Sequence, residues 1–183
     1  MKRSLLLIWS LCFWIPGVAF SQATGNTTFP ISDLEFKEWF GYKPADESPD
    51  MYTLLGAGFF RTPSHHQAHE RIQEWIQGHP NARVIPVYQV HDKRNVIYCW
   101  VVDGNRSLNV HLVKKGTVPG NTMQIPIVIL ELYEGTVSDP DAPRVEIFIP
   151  LEEYEKFLRE VYEAETLAQN QALGIWAPTY ERN

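Results

Sequence analysis

The chain has 183 residues, of which 44% are hydrophobic and 21% are charged, and its formal net charge is −6 at pH 7. This length suits one domain with a sizeable core. Lysine and arginine drive non-specific nucleic-acid binding by displacing counterions, and this acidic chain contains no basic run. We therefore do not expect nucleic acid as its partner.

The N-terminus has the pattern of a secretory signal peptide. Lys2 and Arg3 form a basic start, residues 5–20 are an apolar run, and residues 19–21 offer small side chains at a cleavage spacing. We predict that residues 1–21 are removed, which indicates a secreted or periplasmic protein; the alternative is an uncleaved anchor helix. No later segment approaches the roughly 20 apolar residues that span a bilayer, so no membrane span is expected after cleavage.

Two smaller predictions concern the exported chain. Cys99 is its single cysteine, which excludes an intrachain disulfide, and its apolar strand predicts a buried structural thiol. Asn26 and Asn105 match the glycosylation acceptor pattern, which has a consequence only in a eukaryotic host.

Residues 22–50 are predicted to form an N-terminal extension with one possible short helix. Ser32 followed by Glu35 is a capping-box pattern that would begin this helix. The next apolar run, residues 51–60, contains two glycines, so it predicts a strand with a bend or a bulge.

The first clear helix begins at Ser64, which forms a second capping-box pattern, and it ends at Gly78. Its apolar side chains form one stripe: Ala68, Ile72, Trp75 and Ile76. Residues 82–90 and 95–102 are then predicted to be the strands of a hairpin. The second strand is apolar on both faces, as expected when a barrel packs against one face and helices pack against the other.

The later part of the chain predicts two helices and two strands. A short helix over 108–115 is ended by Gly116. Residues 125–132 and 144–149 are predicted to be strands. A long helix over 152–173 has apolar residues at spacings of three and four, and Gly174 is predicted to end it.

Two segments resemble the staphylococcal-nuclease (thermonuclease) family. Residues 96–116 combine an apolar strand, an Asp-Gly turn and a helix that carries Leu-Asn-x-x-Leu-Val-x-x-Gly. Residues 154–176 contain Glu-Ala-Glu and end in Ala-Leu-Gly-Ile-Trp. The order of strand, Thr-Pro, helix, hairpin, Leu-Asn helix and terminal helix is also similar. The resemblance implies an α+β fold over residues 51–183, in which about three helices pack on a five-stranded OB-like β-barrel.

This family hydrolyses phosphodiesters with calcium, carboxylate ligands, a glutamate base and two arginines. Its Asp-Gly-Asp-Thr metal motif has no counterpart near the start of the predicted barrel. Its Arg-Leu-x-x-x-Asp-Thr-Pro-Glu motif aligns on Thr62-Pro63. That alignment places Gly56 at the first arginine, Arg61 at a metal aspartate and Ser64 at the base.

The second arginine of the family is also replaced. Alignment on the Asp-Gly turn at 103–104 places Asn95 there, with Arg94 one residue away. A one-residue slip in a strand turns a side chain to the opposite face, so Arg94 substitutes only if a bulge restores its direction. Loss of even one preorganised charge typically costs ~10²–10³ in rate, and here four are replaced together.

These replacements predict a catalytically inactive binding or interaction module, a pseudoenzyme that needs no cofactor. Its expected partner is a protein or a small ligand. The alternative is a calcium-dependent nuclease that uses displaced residues such as Arg61, Arg94 and Glu70.

A histidine cluster at residues 65–69 offers a different chemistry. His65 and His69 are four residues apart and so lie on one face of the predicted helix. With a third ligand from elsewhere they could hold zinc or copper. The simpler interpretation, which we favour, is an exposed first helical turn without a metal.

Overall fold

A computed structural model describes residues 28–37, 40–42, 50–56, 64–92, 95–137 and 139–178. These residues form an α+β fold with four α-helices: α1 (Ser64–Gly78), α2 (Leu108–Lys114), α3 (Ile127–Tyr133) and α4 (Leu151–Asn170). They also form eight strands: β1 (Phe29–Pro30), β2 (Glu35–Lys37), β3 (Phe40–Tyr42), β4 (Met51–Leu54), β5 (Arg83–His91), β6 (Asn95–Asp103), β7 (Arg106–Ser107) and β8 (Arg144–Ile147).

The strands make one curled, open sheet in the order β1-β5-β6-β4-β3-β2, with β7 beside β6 and β8 beside β5. β4 and β6 are parallel, while the other neighbours are antiparallel. A parallel pair needs a long crossover, and here α1 and β5 supply it. The β5–β6 register shifts between Pro86 and Tyr88, where the proline has no N–H to donate.

The sheet curls because its two outermost strands are joined by a very short stretch of chain. β1 ends at Pro30 and β2 begins at Glu35, with a 3₁₀ turn over Ile31–Asp33 between them. Five Cα-to-Cα steps reach at most about 18 Å. Six strands laid flat would separate the outer two by about 24 Å. The connection is therefore too short for a flat sheet, and the amide of Ile31 donates to the Ala82 carbonyl at 2.9 Å.

The core combines buried side chains of the sheet and of the helices. Its fully buried side chains include Ile97 from β6, Leu108, Leu112 and Val113 from α2, and Val161 from α4. On the other face of β6, the Trp100 ring stacks on Phe157 of α4 at a centroid distance of 4.0 Å. The prediction that β6 packs on both faces is confirmed, and so is the burial of the free thiol of Cys99.

The predicted helix at 64–78, the β5–β6 hairpin, the Leu-Asn helix and the terminal helix are all confirmed within a few residues. The strand predicted over 125–132 is wrong, because that segment forms α3. Pro126 precedes its first turn with a φ of −57°, and Gly135 follows its end with a φ of +70°. Pro126 and Gly135 are typical of the two ends of a helix. The short apolar run between them does not by itself distinguish a helix from a strand.

The short helix predicted to begin at Ser32 is also wrong. A single 3₁₀ turn covers Ile31–Asp33, and Glu35 already belongs to β2, where it cannot cap the turn. Strand pairing has displaced the local capping preference. Because β1, β2 and β3 join the same sheet as β4, the sheet extends back beyond residue 51, where we had placed the start of the domain.

α4 ends before the glycine that was predicted to end it. Its C-cap is Gln171, and Ala172 adopts the left-handed conformation with a φ of +50°. Gly174, two residues later, also has a positive φ, and it lies against the backbone of Gly116 at the end of α2. The glycine is therefore used for a close approach between two chain segments, and the alanine bears the strain of the helix end.

Candidate functional site

Gly56, at the position of the first family arginine, lies in the turn that follows β4. Its φ is +94°, a conformation that side chains rarely adopt. A Cβ atom at this position would lie 2.7 Å from Met123 Cε and 3.1 Å from Thr122 Oγ1. The side chains of Thr122 and Met123, from the 3₁₀ turn of Gly120–Met123, therefore lie beside the place where a side chain at residue 56 would begin.

Asn95, at the position of the second family arginine, begins β6. Its Nδ2 donates to Oδ1 of Asp50 at 2.9 Å, so the amide joins the two parallel strands where they begin. Met51 pairs with Val96 and Leu54 with Cys99, so Gly56 lies beyond the other end of this pair. The four residues of β4 between them span about 13 Å, so the structure does not bring the two positions together.

The other predicted residues are scattered or fall outside the described part of the chain. Ser64 is the first residue of α1, and Glu70 is exposed on that helix. Arg61, Arg94 and Asn26 lie outside the described residues, as does the segment 1–21; Asn105 is exposed in the turn between β6 and β7.

The histidine cluster lies in the first turns of α1. His65 and His69 are one turn apart along the helix, and His69 is half-buried. Within the described ranges, no three His, Cys, Asp or Glu side chains converge in a way that could hold a metal ion.

Asn109 of the Leu-Asn motif has a structural role that the sequence did not reveal. It is completely buried, and its Oδ1 accepts the amide of Val101 at 3.0 Å. Its Nδ2 donates to the carbonyls of Leu55 at 3.1 Å and Cys99 at 3.4 Å. One side chain therefore fastens α2 to β6 and to the residue before Gly56. The only signal in the sequence was a polar residue inside an apolar helix face.

Two stacked tyrosines are strand partners in the β5–β6 hairpin. The rings of Tyr88 and Tyr98 are 4.4 Å apart between centroids. Burial raises the pKa of Tyr88, and neighbouring tyrosines raise it further; burial also raises the pKa of Tyr98. Both phenols stay protonated at neutral pH, so neither can act as a base there.

A small apolar cavity lies inside the sheet, with Cys99, Leu34, Tyr52 and Ile72 among its lining residues. Its volume of about 10 Å³ barely admits one water molecule. It is a packing defect of the core and is too small for an organic ligand.

Comparison with known proteins gives this chain no family: no family model matches it, and a search of curated proteins found no significant match. No helix in the described part of the chain has the length and apolar character needed to cross a membrane.

Proposed function

We propose that the curled sheet, whose strand path ends at β1 and β2, closes through these two strands into a five-stranded OB-like barrel of the thermonuclease type. Support comes from the outer strands. β1 and β2 are separated by Ile31–Leu34 and can be regarded as two halves of one bent strand. Counted in this way, five strands follow one another cyclically, because the two halves pair with β5 and β3. Closure removes both sheet edges, which is the usual advantage of a barrel.

The order of elements along the chain also supports this proposal. A strand, β4, is followed by α1, the β5–β6 hairpin, α2 with its Leu-Asn motif and finally α4. Asn109 gives that motif a physical reason, because a buried amide that satisfies three backbone groups is difficult to replace.

On this scaffold we propose a catalytically inactive binding or interaction module that acts outside the cytoplasm after removal of residues 1–21. The observation that supports the loss of catalysis is the backbone of Gly56. Its φ of +94° is rarely adopted by a residue with a side chain, and the Met123 and Thr122 side chains lie within 3.1 Å of the place where a Cβ would stand. The neutral Asn95 amide beside Asp50 supplies no charge to stabilise a phosphorane-like transition state.

The test is cleavage of a fluorescent single-stranded DNA by the purified protein in calcium, beside a parallel sample in chelator. We expect no calcium-dependent cleavage, while an active thermonuclease in the same buffer cleaves the substrate. Circular dichroism of the same sample establishes that the inactive protein is folded. Calcium-dependent cleavage that is lost in Arg61→Ala, Arg94→Ala or Glu70→Ala would instead support the nuclease with displaced residues.

The export prediction has a separate test. N-terminal sequencing of the protein recovered from the medium or periplasm of an expressing cell is expected to begin at Gln22. Recovery of the intact N-terminus in the membrane fraction would support the uncleaved anchor helix.

A further inference from the structure

Six basic side chains gather along the edge where α1 meets α2, although the chain as a whole carries a net charge of −6. They come from α1 and the residue after it, from β7, and from α2 and its C-cap: Arg71, His79, Arg106, His111, Lys114 and Lys115. We call this set the α1–α2 basic edge.

Arg71 is held between the two helices. Its Nη1 donates to the Lys115 carbonyl at 3.2 Å and to the Thr117 hydroxyl. Both partners lie at the C-terminal end of α2, so the guanidinium has a fixed position and leaves its other N–H groups for further acceptors.

His79 continues the edge toward β7. Its Nδ1 is 2.7 Å from the Trp75 carbonyl, which can only accept, so Nδ1 carries the proton in the neutral ring. The ring is also stacked on Trp75 at 4.0 Å. Nε2 then faces Nη1 of Arg106 at 3.4 Å. Arg106 of β7 and His79 are thereby brought together at one end of the edge.

The His111 imidazole lies near the other cations of the basic edge. Burial is the main cause that lowers the pKa of His111, and the charges of Lys115, Arg71, His79 and Lys114 lower it further. The nearest acids in sequence and pairing are Glu70, directly before Arg71, Glu74, three residues after it, and Asp103, the strand partner of Arg106. Among the described residues, none of these three acids forms an ion pair with the basic edge. The buried residues of α4, which packs against α2, are apolar: Phe157, Val161, Ala164 and Ala168.

A helix dipole accounts for part of this arrangement. Cations at a helix C-terminus gain about 0.3–1 kcal/mol each, which suffices to explain Lys114 and Lys115. It does not explain why Arg106, from a strand, faces His79, or why Arg71 is fixed across the gap.

We propose that the α1–α2 basic edge is a binding site for a polyvalent oxyanion of the di- or triphosphate class, and that binding is linked to proton uptake by His111. A bound anion favours the charged imidazolium, so it raises the pKa of His111; by reciprocity, a lower pH tightens binding. This site does not depend on the thermonuclease scaffold, because Arg71, His79 and Arg106 are positioned by their own hydrogen bonds.

The probe is inorganic tripolyphosphate, titrated by calorimetry at pH 5.5 and pH 7.5 at constant ionic strength. We expect the Kd to be about tenfold lower at pH 5.5, a typical size for a coupled site. The ring signals of His111, followed by NMR, are expected to titrate at higher pH when tripolyphosphate is present. Adenosine triphosphate is titrated in the same way. Tighter binding than that of tripolyphosphate would indicate a nucleotide site, and equal binding would indicate a site for the phosphate chain alone.

The variants are Arg106→Gln and Lys114→Gln, both exposed and expected to fold, together with Arg71→Gln. Each is expected to raise the Kd by about fivefold or more, as loss of a direct charge contact does. Arg159→Gln on exposed α4 removes the same charge elsewhere and is expected to change the Kd less than twofold. The proposal is overturned if Arg159→Gln raises the Kd as much as the other variants do, if the Kd does not change with pH, or if millimolar tripolyphosphate does not bind. Because this assay measures no DNA cleavage, its failure leaves the proposed scaffold function unaffected.

Discussion

Two helices of seven residues each, α2 and α3, differ in burial in the direction opposite to their apolar content, since α3 is the more apolar of the two and the more exposed. α2 buries Leu108, Asn109, Leu112 and Val113. α3 buries no residue completely, and its Ile127 and Val128 are 74% and 55% exposed. Helices this short are marginal in isolation, so each needs outside support. α2 obtains it from packing on both sides, whereas α3 depends on its two ends and its contacts with β8.

The ends of the two helices show how far tertiary contacts alter the same local motif. Gly116 and Gly135 both follow a helix with positive φ, and each helix end has the same two backbone hydrogen bonds. A Cβ on Gly135 would meet nothing within 4 Å, whereas one on Gly116 would overlap the Leu173 carbonyl. The same cap is therefore replaceable in one place and fixed in the other.

The largest expected effect is that of Gly116→Ala. The left-handed conformation costs about 1–2 kcal/mol for an alanine, and forced overlap adds about 1–3, so we expect a loss near 4 kcal/mol. Gly135→Ala has only the first cost. Urea unfolding followed by tryptophan fluorescence measures both, and equal losses would contradict the distinction between the two caps.

Leu112→Ala and Ile127→Ala compare the helix faces directly. Leu112 is completely buried and Ile127 is 74% exposed. We expect the first change to cost about 3 kcal/mol, from lost burial and the cavity that remains. The second should stay within about 0.5 kcal/mol. A large loss for Ile127→Ala in the same urea experiment would mean that α3 is covered in solution.

Asn109→Ala tests the polar part of the α2 contact. It leaves the amide of Val101 and the carbonyl of Leu55 without their partner in a dry core. We expect a loss of about 2–3 kcal/mol. Asn121→Ala, at an exposed residue of the following 3₁₀ turn, is the matched control and should be near neutral. Thermal unfolding by calorimetry suits this pair, and similar melting temperatures would remove Asn109 from its fastening role.

Tyr154→Phe sharpens the comparison at the start of α3. The Tyr154 hydroxyl accepts the buried amide of Ile125 at 2.7 Å, just before the helix begins. Its loss should cost about 1–2 kcal/mol and speed hydrogen exchange in α3. Tyr162→Phe, two turns along α4, removes the hydroxyl of an exposed tyrosine that accepts from Gln124, and should have almost no effect because water replaces it. Unchanged exchange in Tyr154→Phe would show that β8 alone holds α3.

Local pattern was sufficient for several elements. The stripe of α1, the periodicity of α4 and the two apolar faces of β6 each follow from side-chain spacing within one segment. The same reasoning predicts the wrong element for residues 125–132, because a short apolar run with β-branched side chains suits either a strand or a buried helix. Its flanking Pro126 and Gly135 favoured the helix, and the sequence prediction underestimated them.

The candidate site was less accessible than the fold. The family resemblance predicts that charged residues are replaced at 56 and 95, but it could not show Met123 against Gly56 or Asp50 against Asn95. The basic edge was missed for the same reason, since Arg71 and His111 are 40 residues apart in sequence.

The amino-acid sequence alone determined where most helices and the central hairpin lie, because those elements depend on neighbours within a turn or two. Only the tertiary structure decided the parallel pairing of β4 with β6, the partners of Asn109 and the meeting of α1 with α2. These contacts join residues that are tens of positions apart. Their stability depends on mutual burial and geometry, which no single segment encodes.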